Sequence, residues 1–169
     1  MSPAIRNLLL GQAIGSVVLN VPLNGGAAWA TFPPVESLPL FARGNCVAGD
    51  TIGTSFFLPL VTCLILTPIV RSLLRKRTIA PVPRPDLPAW VRFLPSNFVG
   101  RGALVGLISA FTIALLTLAL LHALGFESMT RSQVALYKAV YTAILGLLVT
   151  PLFGYRALAD QPPSPPDQG

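Results

Sequence analysis

The sequence predicts an all-α integral membrane protein with four transmembrane helices, arranged as two tandem helical hairpins with both termini in the cytoplasm. Three observations predict it. Only 11% of the 169 residues are charged while 53% are hydrophobic, against about 25% charged in an ordinary soluble domain. A soluble fold of this size lacks the charge to cover its surface, and lipid removes the need. Charge is also absent in long blocks: residues 7–35, 51–70 and 102–126 carry none, and residues 132–155 carry only Lys138. Finally, seven of the twelve basic residues lie between Arg71 and Arg101, against a single acid, Asp86.

A helix needs about 20 apolar residues to cross a hydrocarbon core of roughly 30 Å, and each block is long enough. The first span is expected over about residues 5–23, ended by Pro22 and the breakers Asn24, Gly25 and Gly26. The others are expected over about 51–70, 102–124 and 132–155. Together they make one transmembrane domain, residues 1–160. No cleavable leader is expected, because the first apolar run lacks a clear A-x-A site. Short loops rich in Lys and Arg stay on the cytoplasmic side, so loop 71–101 is placed inside and the two outer loops outside. A bacterial-type inner membrane, the cell membrane, is the expected location.

The two halves share a pattern. Arg6-x-x-Leu9-Leu10-Gly11 is echoed by Arg101-x-x-Leu104-Val105-Gly106, and Thr67-Pro68 by Thr150-Pro151. A duplication would be a parallel repeat, one known way to build a transporter; the abundance of Leu, Gly and Ala in any membrane helix explains the pattern equally simply.

Small residues recur one turn apart at Gly11 and Gly15, at Gly102, Gly106 and Ala110, and at Ala135, Ala139 and Ala143. Such faces let helix backbones approach closely in lipid. Packing within the chain's own bundle is the plainer reading, and a homo-oligomer or a larger complex the functional one. Thr67 and Thr150 precede prolines whose freed backbone groups a hydroxyl or water re-satisfies.

Polar groups inside the membrane are signposts to function. The candidates are Gln12, Asn20 and Lys138, with the span threonines. Lys138, flanked by Tyr137 and Tyr141, is expected to snorkel to the outer interface; pairing with Asp50 or Glu127 is the alternative. No acid is expected inside a span, which removes the usual means of proton coupling.

In the basic loop, residues 78–87 are proline-rich and stiff. Leu87, Trp90, Val91 and Leu94 recur at i, i+3, i+4 and i+7, which predicts a short interfacial helix over 88–94 with Trp90 among the headgroups. Arg71, Arg75, Lys76, Arg77 and Arg92 make this face a candidate for anionic lipids, although topology alone explains most of the charge. The first outer loop is unusually apolar (Trp29, Phe32, Pro33, Pro34, Leu38, Leu40, Phe41) and is expected to cap the bundle, lie on the membrane or dock a partner. Residues 161–169 read as a disordered proline-rich cytoplasmic tail.

Two cysteines and one histidine cannot furnish the four ligands of a usual zinc site, so no metal site is expected. Cys46 and Cys63 are too far apart along the helix for a disulfide. Asp50, Asp86, Glu127 and His122 stand near the interfaces without a spacing that implies chemistry, so no catalytic residue is assigned and no cofactor is identified. Nucleic acid is excluded as a partner because the basic residues do not form a face on a soluble fold. The expected function is that of a small non-enzymatic membrane subunit, structural or accessory, associating with itself or with a larger complex. The alternative is a small transporter or channel of two similar hairpins completed by oligomerisation.

Overall fold

The computed structural model describes residues 3–32 and 37–160. In chain order its elements are α1 (Pro3–Thr31), β1 (Leu38–Pro39), α2 (Val47–Arg75), a 3₁₀ turn (Arg84–Asp86), α3 (Ala89–Arg92), α4 (Phe98–Ser109), a π-helical turn (Ala110–Ala114), α5 (Leu115–Ala123), β2 (Ser128–Met129) and α6 (Arg131–Ala157). α4, the π turn and α5 run on as one third span. Four helices are long and apolar enough to cross a bilayer: Ile5–Thr31, Val47–Arg75, Phe98–Ala123 and Arg131–Ala157. The protein is a multi-pass, membrane-embedded helical protein.

The four helices are longer than the spans expected from the sequence. α1 does not stop at Leu23 but continues through Pro22 to Thr31. Its apparent breakers are used for packing. A Cβ on Gly25 would lie 3.1 Å from the Ala139 Cβ and 3.4 Å from the Ala135 carbonyl oxygen, so glycine permits a close crossing of α6. The Asn24 side chain donates to the Asn20 carbonyl at 3.2 Å, holding the turn together. α2 begins at Val47, capped by the Cys46 sulfur, which accepts from the Gly49 N–H at 3.3 Å. Asp50 therefore lies in the first turn of a spanning helix, where it suits the helix dipole, and the spans are not free of acids. α6 opens on a capping box of Thr130 and Gln133.

The spans stand in the order α1, α6, α2, third span. α1 packs extensively on α6 alone among the described elements, α6 and α2 lie side by side, and the other flank of α2 meets α4 and the π turn. The consecutive pair that packs is α2 with the third span; α1 with α2, and the third span with α6, make no extensive contact. Two tyrosines fix the central pair: the Tyr137 and Thr51 hydroxyls are 3.0 Å apart, and those of Tyr141 and Ser55 2.5 Å. Both tyrosines face α2. Against α4, glycines again set the distance. A Cβ on Gly102 would lie 3.1 Å from the Cys63 Cβ and from the Leu60 Cα, and one on Gly106 would lie 2.5 Å from the Phe56 carbonyl oxygen.

The helix ends remote from Pro3 and Ala157 are closed by the loops between α1 and α2 and between α5 and α6, which pair as antiparallel strands with Leu38 opposite Met129. Phe32, Leu38, Leu40 and Met129 are buried there with Ala28, Val47 and Val134, so this part of the apolar loop caps the bundle. Pro33 and Pro34 lie outside the described residues. Arg131 lies over the Trp29 ring, 4.6 Å from its centroid, and its guanidinium donates to the Trp29 carbonyl.

At the opposite end the expected helix over 88–94 is one turn long. Its periodic residues divide. Leu87 and Val91 are buried against Ala159, Leu152 and Tyr155, and Leu94 joins the main core, whereas Trp90 and Phe93 are exposed. The apolar face binds the protein, and it is the neighbouring aromatic pair that points outward. The tail, 161–169, lies outside the described residues.

Candidate functional site

Because α1 and α2 both flank α6 without packing on each other, a cleft of about 720 Å³ opens between them, within the roughly 300–1,000 Å³ of small-molecule sites. Its two walls differ. α1 contributes Gln12, Ser16, Asn20 and Asn24, four polar residues at a strict spacing of four, which places them on one helix face. α2 contributes Phe57, Leu58, Val61, Ile65, Leu66 and Ile69, together with Thr54 and Thr62, and Thr150 of α6 lies on the lining. Phe57, Val61, Ile65 and Ile69 are also exposed, so the cleft opens sideways toward lipid.

The polar wall is seated on glycines of α6. A Cβ on Gly146 would collide with the Ser16 hydroxyl and the Asn20 amide, and a Cβ on Gly154 with Gln12 Oε1. The upper part of this wall satisfies itself: Asn20 donates to Ser16 Oγ at 3.0 Å and Asn24 to Asn20 Oδ1 at 3.1 Å. The lower part does not. Gln12 Oε1 and Thr150 Oγ1 are buried with no hydrogen-bond partner among the described residues. Thr150 stands apart from Thr51, Ser55, Thr112, Thr117 and Thr142, whose hydroxyls donate to the carbonyl four residues back at 2.6–2.8 Å.

At the mouth of the cleft nearer the β1–β2 pair, Lys138 Nζ lies 2.5 Å from Asp50 Oδ1, linking α6 to α2. Of the two expectations for Lys138, the structure shows the pairing with Asp50, with the lysine side chain 12% exposed. The pair neutralises the one acid on the cleft lining.

A second polar constellation lies at the opposite ends of the helices, beside the basic loop. Asp160 accepts from Arg101 at 2.8 and 3.1 Å, from Arg71 at 3.1 Å and from Arg156 at 2.5 Å. Arg101 also donates to the Pro95 and Ser96 carbonyls, both at 3.2 Å, and is fully buried. This knot joins α2, α4, the end of α6 and the basic loop.

The sequence candidates are thus dispersed. Gln12, Asn20 and Gly15 line the cleft, with Lys138 at its mouth through Asp50. Gly102 and Gly106 face α2, and Ala135 and Ala139 face Gly25. Ala110 is buried at the start of the π turn, and Ala143 is half-buried. Nothing lies within 4 Å of a Cβ placed on Gly11 or Gly15. Of the lipid candidates, Arg71 turns into the Asp160 knot and over the Phe98 ring, 5.6 Å from its centroid. Arg75, Lys76, Arg77 and Arg92 are exposed.

Sequence reasoning missed Ser16 and Asn24, although the spacing of four from Gln12 was a usable signal. It also missed Asp160 and Thr54, for which no pattern existed. Among the described residues no three of His, Cys, Asp and Glu come together to hold a metal ion, and Cys46 and Cys63 are both free.

No family model, curated protein or solved structure matches the chain. The site must speak for itself. Chemically, the cleft offers hydrogen bonding along one wall and hydrophobic contact along the other, and its one acid is already paired.

Proposed function

We propose that the protein is a non-enzymatic membrane subunit that assembles with itself or with a larger membrane complex through the open flank of α1. The observation that carries this reading is the one-sided packing of α1. The small-residue faces of α4 and α6 are filled by neighbouring helices, while the Gly11–Gly15 face of α1 meets nothing. In lipid, where apolar burial does not drive helices together, such a face is a natural approach surface for another helix. The test is purification in mild detergent with sizing and mass spectrometry, beside a Gly11→Leu/Gly15→Leu variant. A complex lost in the variant supports the reading; a stable wild-type monomer without partners overturns it.

The proposed setting is a bacterial-type inner membrane, N-in and C-in, with Arg75, Lys76, Arg77 and Arg92 among anionic headgroups and Trp90 and Phe93 at their level. Cys46 is buried and unsuited to labelling, so the probe is Asn45→Cys, which is exposed. Its modification by an impermeant thiol reagent from the outside is expected; modification only from the inside refutes the orientation.

A transporter of two related hairpins is the second reading, and two observations favour it. Gln12, Asn20, Thr62 and Thr150 line one cleft. The order α1, α6, α2, third span also reverses onto itself when the first and third spans, and the second and fourth, are exchanged, as a parallel duplication requires. Unchanged flux in every assay after Gln12→Leu/Lys138→Met would remove this reading.

A further inference from the structure

We propose that the α1–α2 cleft binds an uncharged lipid bearing a free hydroxyl, whose oxygen is held between Gln12 and Thr150 while its chain lies along the α2 wall. The inference stands apart from both readings above, because occupancy requires neither assembly nor flux.

Two unpartnered atoms carry it. Gln12 Oε1 and Thr150 Oγ1 are buried without hydrogen bonds among the described residues, and both residues line the cleft. Thr150 is only 3% exposed. Each unpaired polar atom in a lipid environment is destabilising, and a ligand that pairs both removes that penalty. They sit at a common depth. Gln12 is nine residues from the start of α1 and Thr150 seven from the end of α6, about 13 and 10 Å along the helices at 1.5 Å per residue.

The pairing chemistry selects a hydroxyl. Gln12 Oε1 accepts only, so it needs a donor; the Thr150 O–H donates to an oxygen. A single alcohol group does both, donating to Gln12 and accepting from Thr150. An ester or ether oxygen can accept from Thr150 but has nothing to give Gln12, and a plain hydrocarbon pairs neither. A charged headgroup is disfavoured as well. Asp50 is the one ionisable residue on the lining, and Lys138 already neutralises it.

The remaining surface suits a chain. From Asp50 to Ile69 the α2 wall runs for about 28 Å of helix, and its lower part from Phe57 on is apolar apart from Thr62. It opens laterally, so a lipid enters from the bilayer without crossing water. Above Gln12, Ser16, Asn20 and Asn24 are bonded to one another and ask nothing of the ligand.

The test uses the full chain in nanodiscs with a long-chain alcohol carrying a photoactivatable diazirine on its chain, beside the methyl ether of the same probe. The alcohol is expected to label the Phe57–Ile69 wall about two- to tenfold more than the ether, the factor supplied by the one hydrogen bond the ether lacks, the donation to Gln12. Excess unlabelled alcohol should compete, and phosphatidylglycerol should not. In Gln12→Leu/Thr150→Val the alcohol and the ether should label equally, at or below the level of the ether on the wild-type protein. If that variant does not fold, Val61→Trp, which fills the cleft from the opposite wall, should abolish labelling. Equal labelling of the wild-type protein by alcohol and ether overturns the proposal, as does label spread evenly over Phe111, Leu116 and Leu136 elsewhere on the lipid-facing surface. Persistent labelling in Val61→Trp, or another protein helix crosslinked into the cleft, also overturns it.

Discussion

Replacing Asp160 with asparagine keeps the shape of the side chain and removes its charge. In the wild-type protein Arg101 reaches both carboxylate oxygens, and neither partner is accessible: the side chains are 0% and 2% exposed. The other acceptors of Arg101 are the neutral carbonyls of Pro95 and Ser96. Asp160→Asn therefore leaves a buried guanidinium without its counterion, a change worth about 3–5 kcal/mol of stability. The Arg71 arm is 32% exposed, and Arg71→Met should remove no more than about 1 kcal/mol. The assay is thermal unfolding in mild detergent, followed by tryptophan fluorescence and by monodispersity on sizing. On the scale of soluble chains of this length the Asp160→Asn midpoint should fall by roughly 6–20 °C. Because the pair is buried, raising salt should change that difference little. An Asp160→Asn midpoint indistinguishable from wild type, or an Arg71→Met variant as damaged as Asp160→Asn, would refute the reasoning.

The remaining predictions use the same assay. Gly106→Ala pushes a methyl to 2.5 Å from the Phe56 carbonyl oxygen and should lower stability by about 1–3 kcal/mol, whereas Gly11→Ala meets open space and should do no harm; equal effects would contradict the packing of α4 on α2. Lys138→Met leaves Asp50 half-buried and unpaired, and should be more damaging than the double variant Asp50→Asn/Lys138→Met; a cycle showing no coupling would dissolve the ion pair. Arg77 closes α2 with φ +53°, its N–H donating to the Leu74 carbonyl at 3.0 Å and the Thr78 N–H to the Leu73 carbonyl at 3.1 Å. That left-handed position favours glycine, so Arg77→Gly should raise stability by about 1 kcal/mol, and a loss would show that the arginine makes a contact outweighing its strain.

Much of the architecture was written in where charge is missing. Four spans follow from four charge-poor blocks, because hydropathy is a property of single residues summed over a window. Helix ends were less legible. Gly25 looks like a breaker until Ala139 stands opposite it, and Asp50 looks like loop until Cys46 caps the helix in front of it. The cleft was half legible: Gln12 and Asn20 stand out as amides in an apolar run, but that Thr150 keeps its hydroxyl free depends on what surrounds it. Asp160 was illegible, since a lone acid near a tail gains meaning only when three distant arginines converge on it. The period of Leu87, Val91 and Leu94 gave the right face and the wrong neighbour, because periodicity does not distinguish a protein surface from a membrane.

The attachment of α1 to α6 has a consequence for biogenesis. Synthesis delivers α1 before α2 and the third span and its one extensive partner among the described elements, α6, after them, so α1 must wait in the bilayer through the making of two further spans. Its polar stripe of Gln12, Ser16 and Asn20 finds the Gly146 and Gly154 sockets only when α6 inserts. Asp160, three residues beyond that helix, then fastens Arg71 and Arg101. A ribosome that stops short of Asp160 releases a chain whose first helix is undocked or whose arginines lack their counterion. Asp160 thus serves as the latch that closes the bundle once its fourth helix is in place.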